Sequence, residues 1–119
     1  MREYAGQTLE HLDIATTIES DDELAAKTLP MQHRKELLLI YKEAINNIAK
    51  HAGAKRVSIT LKNGHLHIIL CIADDGIWKG HTSGTGIRSM KARAATLGGK
   101  IEILNSEKGT KVMAIIPVP

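Results

Sequence analysis

Four short stretches of the chain carry residues that could do chemistry. In LIYKEAINNIAKH, Glu43 and Asn47 stand four residues apart, with Lys50 and His51 just beyond. On a helix, residues i and i+4 share a face one turn apart, so a carboxylate and a carboxamide would lie side by side. Such a pair could position a proton acceptor beside a metal-bound oxygen. It suits a solvated helix face as well, and the spacing alone leaves both readings open. Asp74–Asp75–Gly76 follows an apolar run. An ionised Asp only accepts hydrogen bonds, so Asp74 could take one from an exocyclic amine. Gly76 would let a flat ring approach the backbone, although the same residues also make an ordinary turn. Gly84–Thr85–Gly86–Ile87 opens a helical stretch. The free N–H groups and dipole of a helix start favour an anion, most naturally a phosphate, and Arg88 is the nearest cation. Ser89 occupies the third position of a would-be GxGxxG, so the dinucleotide fingerprint fails, and no GxxxxGK[ST] occurs. Gly109–Thr110, in a turn before the last strand, says nothing by itself.

These residues need elements to hold them. Residues 8–19 alternate loosely (Leu9, Leu12, Ile14, Ala15, Ile18) and read as a strand. From Gln32 to His51 the residues Leu37, Leu38, Tyr41, Ala44, Ile45 and Ile48 recur at helical spacing, with Pro30 before and Gly53 after. Arg56 to Leu61 is a period-two strand, Asn63–Gly64 is a hairpin signal, and Leu66 to Ala73 is the partner strand. Its apolar stretch from Ile68 to Ile72 predicts a central position. Ile87 to Leu97 reads as a second helix, ended by Gly98–Gly99. Lys100 to Leu104 and Lys111 to Val118 read as two more strands joined by a turn at Asn105 to Gly109. The order is β, α, β, β, α, β, β. It predicts an α+β fold, with an antiparallel or mixed sheet covered by helices on one face rather than a run of βαβ crossovers.

The chain has 119 residues, one domain by length, and can bury roughly 65% of the surface its unfolded form exposes. Hydrophobic residues are 43% and charged residues 24%, which excludes disorder. Acids and bases are interspersed, the net charge is only +3, and there are one Trp and two Tyr. Base-stacking platforms and a basic stripe are both lacking, so no nucleic-acid partner is expected. One cysteine, Cys71, and no CxxC pair fit a reducing compartment and give no zinc signature. His11, His33, His65, His67 and His81 read as surface or strand-face residues, and Cys71 as an inert core thiol. The N-terminus is polar, and the longest apolar run, Ile68 to Ala73, is too short for a bilayer. A soluble, cytoplasmic chain is expected. Composition leaves open a membrane-bound parent.

The four elements together are far more specific than any one of them. LIYKEAINNIAKHAGAKRVSI (Leu39 to Ile59) resembles the N box of the catalytic and ATP-binding domain of bacterial sensor histidine kinases. ADDG (Ala73 to Gly76) resembles that family's first glycine box, GTGIRSMKARAATLGG (Gly84 to Gly99) its second, and GTK (Gly109 to Lys111) its last. The wider group includes DNA gyrase, MutL and the heat-shock chaperone ATPases. The resemblance covers nearly the whole chain from Pro30, and the second box is most similar to the short-lid kinases related to nitrate and lipid-fluidity sensors. It implies a two-layer α/β sandwich of the Bergerat type.

The resemblance also implies roles. Glu43 would orient or accept a proton in phosphoryl transfer, and Asn47 would ligate Mg²⁺ on the phosphates. Lys50 and His51 would lie near those phosphates. Asp74 would take the adenine amino group with Gly76 beneath the ring, and Thr110 would support adenine through a water. Gly84, Gly86 and the N–H groups of Ile87 and Arg88 would cradle phosphate. Residues 1–119 would then be one kinase domain, the C-terminal part of a longer sensor kinase. ATP and Mg²⁺ would be its cofactors, a phosphoacceptor hairpin of the same parent chain and a response regulator its partners. The fragment alone is expected to be monomeric and unable to label itself. The alternative is a non-catalytic, nucleotide-binding or regulatory module on the same fold. Two departures stand out. Trp78 replaces the second glycine of the first box, and Ile77 to Ser83 is a short lid in a chain without Phe.

Overall fold

The computed structural model describes residues 15–20, 29–48, 55–63, 66–76, 85–106 and 108–118. In chain order they form strand β1 (Ala15–Ser20), helix α1 (Met31–Asn47), strands β2 (Arg56–Asn63) and β3 (His67–Asp74), helix α2 (Thr85–Thr96), and strands β4 (Lys100–Ser106) and β5 (Gly109–Pro117). The five strands make one sheet in the order β1-β2-β3-β5-β4, parallel between β1 and β2 and antiparallel elsewhere. This is the expected α+β sandwich with a mixed, mostly antiparallel sheet. Two helical crossovers are nonetheless built into it. Helix α1 joins the parallel neighbours β1 and β2, and α2 joins β3 to β4 with β5 inserted between them.

Helix α1 starts where the sequence asks it to. Pro30 cannot donate, so it stands at the boundary, and its carbonyl accepts from Arg34 N at 3.1 Å. Leu37, Ile40, Tyr41, Ala44, Ile45 and Ile48 are all buried, at i, i+3, i+4, i+7, i+8 and i+11. Ile40 sits in this stripe, while Leu38, expected in it, is half-buried at its margin. In α2 the buried residues are Ile87, Met90, Ala94 and Leu97. Strand β3 alternates as a strand with one covered face must: Ile68, Leu70, Ile72 and Asp74 are buried. Val57 and Ile59 of β2 and Val112, Ala114 and Ile116 of β5 complete the layer under the two helices. Burial of each such aliphatic side chain contributes roughly 1.5–3 kcal/mol.

The other face of the sheet carries Ile69, Cys71, Ala73, Met113 and Ile115, all half-buried. Cys71, expected to be a core thiol, instead lies on this outer face, because its odd position alternates away from Leu70 and Ile72. Burial still pushes its thiol pKa up, against the pull of Lys111 and Lys62. Among the described residues no helix is long and apolar enough to cross a membrane.

The end of α2 fixes how β4 enters the sheet. Gly98 N donates to Ala95 O at 2.9 Å and Gly99 N to Ala94 O at 2.8 Å, the paired bonds of a Schellman motif, with Gly98 at φ 75°. Gly99 serves a different need. A Cβ there would run into the Ile115 carbonyl and the Ile116 side chain. We predict that Gly99→Ala destabilises the fold by about 1–3 kcal/mol, the range for overpacking a filled site. Urea unfolding followed by circular dichroism measures it, and an unchanged midpoint would contradict this packing.

Candidate functional site

Sheet register assembles the first part of the site. Val57, Asp74, Thr110 and Asn105 are successive partners across β2, β3, β5 and β4, so one row crosses the sheet on the helix-bearing face. Asp74 is 7% exposed and Thr110 2%, the two buried polar or charged residues among those described. Asp74 Oδ1 accepts from Gly76 N at 2.8 Å, a local Asx bond that turns the chain just after β3. The Thr110 hydroxyl lies 2.6 Å from Asn105 Oδ1 and 3.4 Å from the Gly76 carbonyl. Gly76 thus meets both the carboxylate and the hydroxyl and is itself buried.

Gly109 makes this closeness possible. Its φ is 144°, and a Cβ there would strike the Asp74 carbonyl oxygen and crowd the Cα of Asp75. The β4–β5 hairpin that presents it is closed by Ser106. The Ser106 hydroxyl donates to Gly109 O at 3.3 Å and accepts from Lys108 N at 3.2 Å.

The two adjacent aspartates do different work. The Asp75 side chain turns outward, where its Oδ1 accepts from Lys55 N at 2.7 Å and Arg56 N at 3.0 Å. It ties the entry of β2 to the end of β3, and Asp75 N donates back to Arg56 O at 3.2 Å. Those backbone bonds from Arg56 and Lys55 hold its carboxyl below the usual carboxylate range.

The second part of the site lies along α1. Glu36 of α1 receives Arg93 of α2 at 3.3 Å, so this flank of α1 faces α2. Glu43 and Asn47 follow Glu36 by seven and eleven residues, within about 20° of the same line on a helix. They therefore lie side by side along the flank that carries Glu36. Both are half-buried. Gly86, Ile87 and Arg88 fall in the first turn of α2, where backbone N–H groups lack intrahelical acceptors. That turn carries no acid, so the positive end of the dipole is not offset. The Ile87 side chain is 1% exposed and Arg88 is exposed, so Ile87 has only its N–H to offer while Arg88 can offer its side chain. Lys50, His51, Gly84 and the lid from Ile77 to Ser83 with Trp78 lie outside the described residues.

Two adjoining cavities, of about 530 and 360 Å³, flank the end of β3 and share Ala73, Asp74 and Lys108. Arg56, Ser58 and Ala73 line the first, Leu104 and Lys111 the second. Val57 and Asp74 of the helix-bearing face also line the first, and Asp74 and Thr110 the second, but no described residue of α1 or α2 lines either, so the hollows are not the space between the two helices. Among the described residues no three His, Cys, Asp or Glu side chains cluster as a metal site. Asn105 and Asp75 were both missed as contributors to this region. Asn105 sits in a segment that reads as a turn, and Asp75 differs from Asp74 only in strand parity.

The Asp75 clamp has a pH signature. A carboxyl with a depressed folded-state pKa stabilises the fold above its unfolded pKa, and that contribution is lost as pH falls through the folded value. Asp75→Asn is therefore expected to lower the melting temperature at pH 7, and the gap to the wild type to close below the ordinary carboxylate range. Thermal melts between pH 7 and pH 2.5 test this, and a gap constant across that range would refute it.

No protein-family model matches the chain. It is 33% identical over 97 residues to the sensor histidine kinase MctS of Rhizobium johnstonii, covering 76% of this chain and 21% of that protein. It is 29% identical over 115 residues to the sensor histidine kinase DesK of Bacillus subtilis, covering 93% of this chain and 30% of that protein. The chain thus spans under a third of the length of these relatives. Among solved structures, a blue-light activated histidine kinase of Erythrobacter litoralis superposes with a TM-score of 0.80 at 20% identity, over 98% of this chain and 40% of that one. The catalytic domain of histidine kinase ThkA gives 0.76 at 20% identity, over 98% and 88%. In sequence and in fold alike, this chain belongs with the catalytic domains of sensor histidine kinases.

Proposed function

We propose that the chain binds ATP with Mg²⁺ and donates the γ-phosphoryl group to a histidine on a separate dimerisation hairpin of a longer parent kinase. A response regulator then receives the phosphoryl group. The work is cytoplasmic, whether or not the parent is anchored in a membrane. The observation that carries this reading is the buried Asp74. It is an acceptor at the end of a central strand, oriented by Gly76 and set in register with Thr110. A buried carboxylate with its geometry fixed in this way suits an exocyclic amino group, which donates. Gly76 beside it leaves room for a flat ring, and the N–H groups of Ile87 and Arg88 suit phosphate.

Asn47 fits a Mg²⁺ ion that takes most of its ligands from phosphates and water, since that ion is commonly held by only one or two protein oxygens. Bound there, the ion would neutralise charge on the transferring phosphoryl group. Glu43, one turn earlier on the same flank, orients the acceptor imidazole or takes its proton. Lys50 and His51 follow in sequence and would lie near the phosphates, Lys50 as a cation and His51 as a hydrogen-bonding imidazole. Catalysis then consists of positioning and electrostatics, as phosphoryl transfer generally requires.

Asp74→Asn is expected to weaken ATP binding about tenfold or more, because hydrogen bonds to charged groups contribute roughly 1.5–3 kcal/mol. Calorimetry with ATP and Mg²⁺ measures it, and equal affinity would sink the assignment of Asp74. Supplied with a cognate histidine hairpin and labelled ATP, the wild type should form phosphohistidine. Glu43→Gln should slow that step about 10²-fold with little change in affinity. Binding without any transfer would instead make the chain a nucleotide-binding regulatory module.

A further inference from the structure

We propose that Asn105 is a positioning residue that fixes Thr110 as a hydrogen-bond acceptor and thereby sets the preference for a 6-amino over a 6-oxo purine. The inference rests on the reading of Asp74 and Thr110 as the base-recognising pair. Thr110 and Asn105 are direct cross-strand partners, and the hydroxyl-to-amide separation is 2.6 Å. That distance falls in the range of O–H···O bonds and below the range of N–H···O bonds, so the amide oxygen, not its nitrogen, faces the hydroxyl. A hydroxyl has one proton. With Asn105 Oδ1 at 2.6 Å and the Gly76 carbonyl at 3.4 Å, the proton is committed to Asn105. What Thr110 then offers is lone pairs alone.

The consequence lies in the neighbouring acceptor. Asp74 and Thr110 are paired in register on one face. An ionised carboxylate cannot donate, so with Asn105 in place neither group donates. The row therefore accepts directly from an amino group. A 6-oxo purine brings an acceptor to the same place and leaves it without a partner, which is costly in a buried site. Without Asn105 the hydroxyl can turn and donate, and the site loses part of this polarity. Asn105 lies at the rim of the sheet and is exposed, so its replacement leaves the core intact.

The test measures ATP and inosine triphosphate binding, each with Mg²⁺, by calorimetry at pH 8 on the full chain. Asn105→Ala should weaken ATP about fivefold, the size of one ordinary hydrogen bond. It should weaken inosine triphosphate less, so the ratio between them narrows. Asn105→Asp keeps an acceptor of the same length and should restore the wild-type ratio. A role confined to hairpin stability would lower both affinities together and show in the nucleotide-free melting temperature. An unchanged ratio in Asn105→Ala overturns the proposal, as does an Asn105→Asp variant that behaves like Asn105→Ala. Asp74→Asn, run alongside, separates the two levels. If it collapses the ratio while Asn105→Ala does not, only the role of Asn105 fails. If it too binds as the wild type does, the base-recognition reading itself has failed.

Discussion

The antiparallel pairing of β3 with β5 sets Asp74 opposite Thr110, and the rest of the site is arranged around that pair. A carboxylate that is 7% exposed needs hydrogen-bond partners fixed in place. Gly76 supplies one from two residues away. The hairpin tip then has to come close enough for Thr110 to face the same turn, and only a residue without a Cβ fits where Gly109 crosses the Asp74 carbonyl. The polar end of the sheet is thus a packed structure in its own right, even though apolar burial elsewhere holds the fold together.

The two helices meet this row from one side. Their buried stripes share a core with β2, β3 and β5, and the Arg93–Glu36 pair marks the flank along which α1 and α2 face each other. A partly exposed ion pair of this kind contributes little energy. Its use is as a marker of rotation about the helix axis, because it identifies the side on which Glu43 and Asn47 must emerge. The apolar stripe of α1 fixes that rotation, and with it the flank that carries Glu43 and Asn47.

Much of the fold was legible because hydrophobic period is local. The stripe from Leu37 to Ile48 and the alternation from Ile68 to Asp74 declare a helix and a strand without reference to anything else. Strand ends were less legible. The stretch Asn105 to Gly109 is rich in turn-forming residues, yet Asn105 and Ser106 continue β4 and Gly109 and Thr110 begin β5. Pairing with a neighbouring strand outweighs local preference there, as is usual for residues with low strand propensity. Thr110 consequently moves from a turn into the row beside Asp74. Cys71 was misplaced for a related reason, since a continuous apolar run conceals which face each residue takes.

The sequence by itself determined the order of elements, the apolar faces and the residue types able to handle an amine, a phosphate and a divalent ion. It could do so because side-chain chemistry and short-range periodicity are properties of the chain. Tertiary structure decided which of two adjacent aspartates is buried, that Asn105 takes the Thr110 proton, and which flank of α1 Glu36 turns toward α2. Each of these depends on register between strands or rotation between helices, and those are fixed only when distant segments pack together.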